Sequence, residues 1–353
     1  MRFFAAMWVV AYHYWPKLAG EGLPDVVAKG YLGVELFFVL SGYILCHVYL
    51  TALDEGRFDY RSFVANRLAR IYPTHIFAMF GVICLALAAK FAGASVDPNL
   101  LDWASLPANL TLTQAWGFAP QSAFNHASWS VSAEWFAYLA FPLFGALTLS
   151  QAKHPVRFVL ASLIFMMAAY ALYQALTGHS LTEATIRFGH LRIVPCFLWG
   201  CAIYNLDRSL KRDSGWITIC GFAVALVMMS FVTFGLLPDV AAVTGFGALI
   251  LALSRCDRRG TSMMSNPVLV YLGEASYALY MICIPWMLVF VNGANRLLGF
   301  GEEDLPLMAW LALLIGVIPL SVLVHEAVEK PARLAMRVLS RTSPARAQGA
   351  HAP

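Results

Sequence analysis

From Leu160 to Tyr173 the chain reads LASLIFMMAAYALY, and from Trp310 to Val324 it reads WLALLIGVIPLSVLV, without one charged residue in either run. A similar run, ICLALAAKF at 83–91, carries a single Lys. A soluble domain has no way to hide so much continuous apolar surface. Lipid accepts it, provided that every backbone polar group finds its partner inside the protein. Closed barrels meet that condition too, but their strand alternation is absent here. An all-α polytopic membrane protein remains. Composition agrees: 12% of the 353 residues are charged, against about a quarter in soluble domains.

Hydropathy predicts about ten transmembrane helices, near 2–20, 31–50, 71–92, 129–149, 157–177, 190–206, 216–236, 238–254, 267–291 and 305–328. The first apolar stretch has only Arg2 as a flank and no small-residue cleavage site, so it reads as a retained helix rather than a leader. Of the 24 Lys and Arg residues, 18 fall on one side of these spans, in clusters such as Arg57–Arg70, Arg208–Arg212, Arg255–Arg259 and Lys330–Arg346. The positive-inside rule then predicts both termini in the cytoplasm and a multi-pass protein of the cell inner membrane. The net charge of +4 follows from that topology and calls for no nucleic acid. Seven cysteines, an odd number spread over spans and the basic side, point to neither disulfides nor a metal site. Residues 1–337 read as one integral membrane domain, and 338–353 as a basic, disordered cytoplasmic tail. The sequence carries no signal of oligomeric state.

Ionisable residues inside such spans are costly and need a reason. Arg2 and His13 are eleven positions apart, so roughly 16 Å along a helix and on one face. Arg2 is expected at the cytoplasmic mouth and His13 in the outer half. Glu35 of GVELFFVLSGY and Glu134 of SWSVSAEWFAYLAFP fall about a turn below the outer surface, with Ser41 near mid-depth and Ser130 one helical step (i, i+4) from Glu134. Arg67 and Arg70 of RLARIYP join Arg2 on the cytoplasmic side. Each has a plain reading: bundle hydrogen bonding for His13, topology anchoring for the two arginines, interfacial placement for His325 of HEAVEKPAR. HEAVE lacks the second histidine of a zinc-protease helix. What favours chemistry is the coincidence of His13, Glu35 and Glu134 at one depth, with arginines opposite. Guanidinium groups suit a phosphate-bearing donor. A neutral histidine oriented by a carboxylate suits removal of a proton from a hydroxyl.

The same residues resemble acyltransferase family 3, the integral membrane O-acyltransferases of bacterial envelope and exported polysaccharides. Arg2 and His13 match its R-x10-H signature. GVELFFVLSGY, RSFVANRLARIYP, SWSVSAEWFAYLAFP, LRIVPCFLWGCAIY, YLGEASYALYMICIP and HEAVEKPAR match its later segments in order, over about 2–337. The resemblance implies transfer of an acetyl or other short acyl group. The donor is a cytoplasmic acyl-CoA, a substrate rather than a resident cofactor, and no cofactor is bound permanently. The acceptor is a sugar hydroxyl of a polysaccharide, lipid-linked saccharide or glycolipid at the bilayer. It implies that Arg2 and His13 are essential and that Arg67, Arg70 and Glu134 belong to the functional set. Taken with the depths above, His13, Glu134 and Glu35 are expected as catalytic, Arg2, Arg67 and Arg70 as donor-binding, and Ser41, Trp129 and Ser130 as supporting. Cys283 stands where family members commonly carry His, and the resemblance is to a stand-alone form, expected without the esterase-like domain that some members append. A proton-coupled carrier or flippase using the His/Glu set as a relay is the alternative reading.

Overall fold

In the computed structural model, which describes residues 1–20, 22–93, 96–210, 215–301 and 304–342, the apolar runs become helices. They are α1 (Arg2–Tyr14), α2 (Asp25–Ala28), α3 (Gly33–Asp54), α4 (Tyr60–Phe91), α5 (Leu106–Leu110), α6 (Ser128–Leu139), α7 (Phe141–Ser150), α8 (Pro155–Thr177), α9 (Gly189–Ser209), α10 (Gly215–Thr233), α11 (Asp239–Arg258), α12 (Pro267–Leu298), α13 (Leu307–Val324) and α14 (Lys330–Thr342). A π-helical turn, His325–Glu329, joins α13 to α14. Among the described residues no strand forms, and Leu18 meets Leu305 in a single parallel bridge.

Among the described residues, seven segments are able by length and composition to cross a membrane: Gly30–Asp54, Tyr60–Phe91, Pro155–Thr177, Gly215–Thr233, Asp239–Arg258, Pro267–Leu298 and Leu307–Met336. The helices α6 and α7 are bent by 55° and make an eighth if they are counted as one span. Pro142 in the first turn of α7 lacks the N–H that would carry the hydrogen-bond ladder across the bend. Two of the ten expected spans, 2–20 and 190–206, fall on helices outside this set. For the first, Trp15–Pro16 opens a 3₁₀ turn after Tyr14. The thirteen residues of α1 reach only about 20 Å, short of a hydrocarbon core of ~30 Å. The second, α9, is long enough but carries Arg192, Asn205 and Asp207, all buried inside the protein. A helix surrounded by protein has no need of a wholly apolar exterior.

That enclosure depends on two glycines. A Cβ on Gly42 of α3 would lie 2.1 Å from the carbonyl oxygen of Phe197, and one on Gly200 of α9 would lie 2.0 Å from that of Val39. Each helix presses its backbone into the other, the close approach that small residues permit between membrane helices. Because the obstacle is backbone, Gly200→Ala forces α3 and α9 apart. We expect a loss of about 1–3 kcal/mol, read as a lower unfolding temperature of the purified protein. An unchanged temperature would show that the pair does not set the packing.

Around this pair a main apolar core joins α3, α6, α8, α9 and α11. A second cluster joins α1, α12 and α13. Outside the long helices, 96–127 is folded rather than loose: 3₁₀ turns at Pro98–Leu101, Trp103–Ser105 and Gln114–Trp116 flank α5. Its buried Asn109 side chain donates to the Ser105 carbonyl at 2.8 Å. The helix α14 runs to Thr342, into the stretch expected as tail, and 343–353 lie outside the described residues.

Candidate active site

The register of α1 on α3 fixes where the first arginine stands. A Cβ on Gly33 would lie 2.7 Å from the Ala5 carbonyl oxygen, and one on Gly30 would lie 2.5 Å from that of Trp8. The two segments therefore run antiparallel, and Arg2 lies level with the second turn of α3. From there α3 continues to Asp54, so Arg2 sits inside the bundle and not at its mouth as the sequence suggested.

Arg2 lines a cavity with Arg67 and Arg70 of α4, Ser41 of α3, Ser130 and Glu134 of α6, and Tyr277 and Tyr280 of α12. Glu134 is held on one oxygen: Ser41 Oγ donates to Oε1 at 2.7 Å and Tyr138 OH at 2.5 Å. Ser130 Oγ donates to Tyr280 OH at 2.9 Å. The remaining lining is largely aromatic and aliphatic.

The three arginines differ in their company. Arg70 Nη1 donates to Glu329 Oε1 at 2.5 Å and Nη2 to the Glu274 carbonyl at 3.3 Å. Arg67 donates to Tyr49 OH at 3.1 Å and lies over the rings of Tyr49, Phe63 and Tyr138, 5.5–6.0 Å from their centroids. Among the described residues it makes no ion pair, and its Nε has no hydrogen-bond partner. Arg2 likewise makes neither a hydrogen bond nor an ion pair among the described residues; its electrostatic neighbours are Arg70, Glu134, Tyr138 and Arg67. Three guanidinium groups face the one carboxylate of Glu134 here, with Glu329 pairing Arg70 from behind. An excess of positive charge withdrawn from water is costly, so this cavity favours an anionic occupant.

Of the residues picked out by sequence, Arg2, Arg67, Arg70, Ser41, Ser130 and Glu134 come together here. His13, Glu35 and Trp129 are not part of the lining. His13 is half-buried one residue from the end of α1, about 16 Å from Arg2 along the helix, with its ring against Tyr12. Its electrostatic neighbour is His126, whose Nδ1 lies 2.8 Å from Ser122 Oγ. The chain neighbours of both histidines bind one segment of α12: Tyr14 OH donates to the Cys283 carbonyl at 2.7 Å, and Asn125 Nδ2 to the Met281 carbonyl at 2.8 Å. The Cys283 thiol is fully buried and donates to the Tyr280 carbonyl at 3.1 Å.

Glu35, expected beside His13, is instead paired with Arg192 of α9, and both are buried. Trp129 lies under that pair, its ring 4.7 Å from the Arg192 guanidinium carbon. Sequence reasoning missed this partner, although a lone arginine in an apolar helix was itself a signal. It also missed Tyr138 as a ligand of Glu134, despite the i, i+4 spacing that makes such contacts.

Comparison with known proteins places these residues in context. The profile of acyltransferase family 3, described as an acyltransferase domain, matches residues 1–326. The acyltransferase MdmB of Streptomyces mycarofaciens is 28% identical over 98% of this chain and 92% of its own length. The O-acetyltransferase OatA of Staphylococcus aureus is 23% identical over 94% of this chain, which spans 56% of the length of OatA. No solved structure matches.

Proposed function

This chain belongs to acyltransferase family 3, and from that membership and its cavity we propose that it moves an acetyl or other short acyl group from cytoplasmic acyl-CoA to a sugar hydroxyl. The acceptor is a polysaccharide, a lipid-linked saccharide or a glycolipid presented at the bilayer. In this reading the chain crosses the inner membrane ten times, with α9 enclosed by the other helices and α1 extended by the 3₁₀ turn Trp15–Lys17, and both termini are cytoplasmic.

The observation that carries the proposal is the charge state of the cavity. Arg2 and Arg67 line it without an ion pair among the described residues, where phosphate oxygens would satisfy guanidinium donors in a bidentate fork. Arg67 and Arg70 meet the phosphates of the donor and Arg2 stands at the deeper end, so the acyl-bearing arm extends along α1. Glu134, fixed by Ser41 and Tyr138, holds the electrostatics of that path, and Ser130 supports it through Tyr280. His13, farther along the same helix, takes the proton of the acceptor hydroxyl as that oxygen attacks the thioester carbonyl. The C–S bond breaks, the O–C bond forms, and free coenzyme A leaves as a thiol once its sulfur is protonated.

The test is saturable stabilisation of the purified protein by acetyl-CoA. At a hundred times the dissociation constant, binding adds about 2.7 kcal/mol to the folded state. We expect this shift in the wild type and its loss in Arg67→Ala/Arg70→Ala. An equal shift in both proteins would remove the arginines from donor binding.

A further inference from the structure

Behind the cavity wall lies a second set of charges that the acyl transfer just described does not use. Glu329, the last residue of the π turn, is fully buried and accepts from Arg70 on Oε1 at 2.5 Å. Its other oxygen faces Nδ1 of His325 at 3.0 Å. His325 is equally buried, its ring edge-on to Tyr271, and its Nε2 has no partner among the described residues. Arg333 of α14 lies 4.0 Å from Oε1 on the outer side. Neither Glu329 nor His325 lines the cavity, whereas Arg70 does.

We propose that Glu329, oriented by His325, is the residue that positions Arg70 for the acyl donor. The inference rests on the assignment of Arg70 to donor binding. Arginine has several rotatable bonds, and its guanidinium binds a phosphate in a fork only if its plane is fixed beforehand. Three contacts fix it here. Glu329 takes Nη1, the Glu274 carbonyl takes Nη2, and the Tyr277 ring lies 5.9 Å from the guanidinium carbon. Tyr277 is held in turn, donating to the Ile71 carbonyl at 2.5 Å. His325 gives the carboxylate a second partner, so Glu329 does not swing to Arg333.

The local helix geometry is consistent with this role. A π turn interrupts the regular ladder and is uncommon away from functional sites. This one begins at His325 and ends at Glu329, the two residues of the dyad.

The experiment is equilibrium binding of radiolabelled acetyl-CoA to the full chain in nanodiscs. Loss of one charge-assisted hydrogen bond in Glu329→Gln is expected to weaken binding roughly tenfold. Glu329→Asp, which keeps the charge, should recover most of it. His325→Asn, which preserves a donor near Nδ1, should bind more tightly than His325→Phe. The decisive readout is coupling: in an Arg70→Ala background, Glu329→Gln should weaken binding no further, because both act through one guanidinium. That double variant also removes both buried charges together, so it is spared the unpaired carboxylate that threatens folding of Arg70→Ala alone. A folded Glu329→Gln protein that binds like the wild type would overturn the positioning role. So would full additivity with Arg70→Ala. If Glu329→Gln does not fold, equal binding by His325→Phe and the wild type overturns the role. Failure of the wild type itself to bind acetyl-CoA would instead overturn the donor assignment, and the role with it.

Discussion

Replacing His13 by alanine is expected to abolish acyl transfer while leaving the protein in the membrane. A positioned general base contributes about 10²–10⁴-fold, so the ester made by this enzyme should fall below detection. The side chain is half-buried and makes no hydrogen bond among the described residues, so its removal costs the bundle little. The measurement is the ester content of the host's envelope and exported sugars, with wild-type and His13→Ala genes at equal membrane expression. Loss of a single ester would name the acceptor and assign the proton transfer to His13. An unchanged ester pattern would return His13 to helix packing and move the base elsewhere, with His126 the next residue to test.

The largest effect on stability is expected at Arg192. Removing it strands Glu35 with no water and no counter-ion, and breaking a buried pair from one side costs about 3–5 kcal/mol. We expect Arg192→Met to accumulate poorly and to unfold at much lower temperature than the wild type. The double variant Glu35→Met/Arg192→Met removes both charges and should recover most of the loss, since apolar replacements of buried pairs are often close to neutral. The same double variant settles what Glu35 does. Retained acyl transfer would make it a structural partner of Arg192. Lost transfer in a stable protein would restore it to the catalytic set suggested by its depth in the sequence.

That contrast marks where sequence reasoning stops. Depth along one span follows from helical rise, but comparing two spans needs their register, and the glycine contacts of α1 on α3 set Arg2, not His13, near the level of Glu35. Depth does not say which way a side chain faces. Glu134 faces Ser41 and the arginines, Glu35 faces Arg192, and His13 faces His126. Three groups expected at one level on three helices thus belong to three different surroundings. His325 shows the reverse error. It looked interfacial because it sits at the end of an apolar run, yet the π turn and α14 bury it beside Glu329, the partner of Arg70.

By itself the sequence determined that this is an all-α membrane protein. Charge-free runs longer than a soluble helix can hide leave no other way to satisfy the backbone. The ordered motifs likewise identified the acyltransferase family. Only the tertiary structure decided which of these residues meet. Gly42 and Gly200 let α3 and α9 touch backbone to backbone, and Gly30 and Gly33 do the same for α1. Those approaches carry Arg2 into the cavity, enclose Arg192 with Glu35, and leave His13 beyond the cavity's end. Rotation about a helix axis and the distance between two axes are fixed by packing against the neighbours, and a linear pattern of residues contains neither.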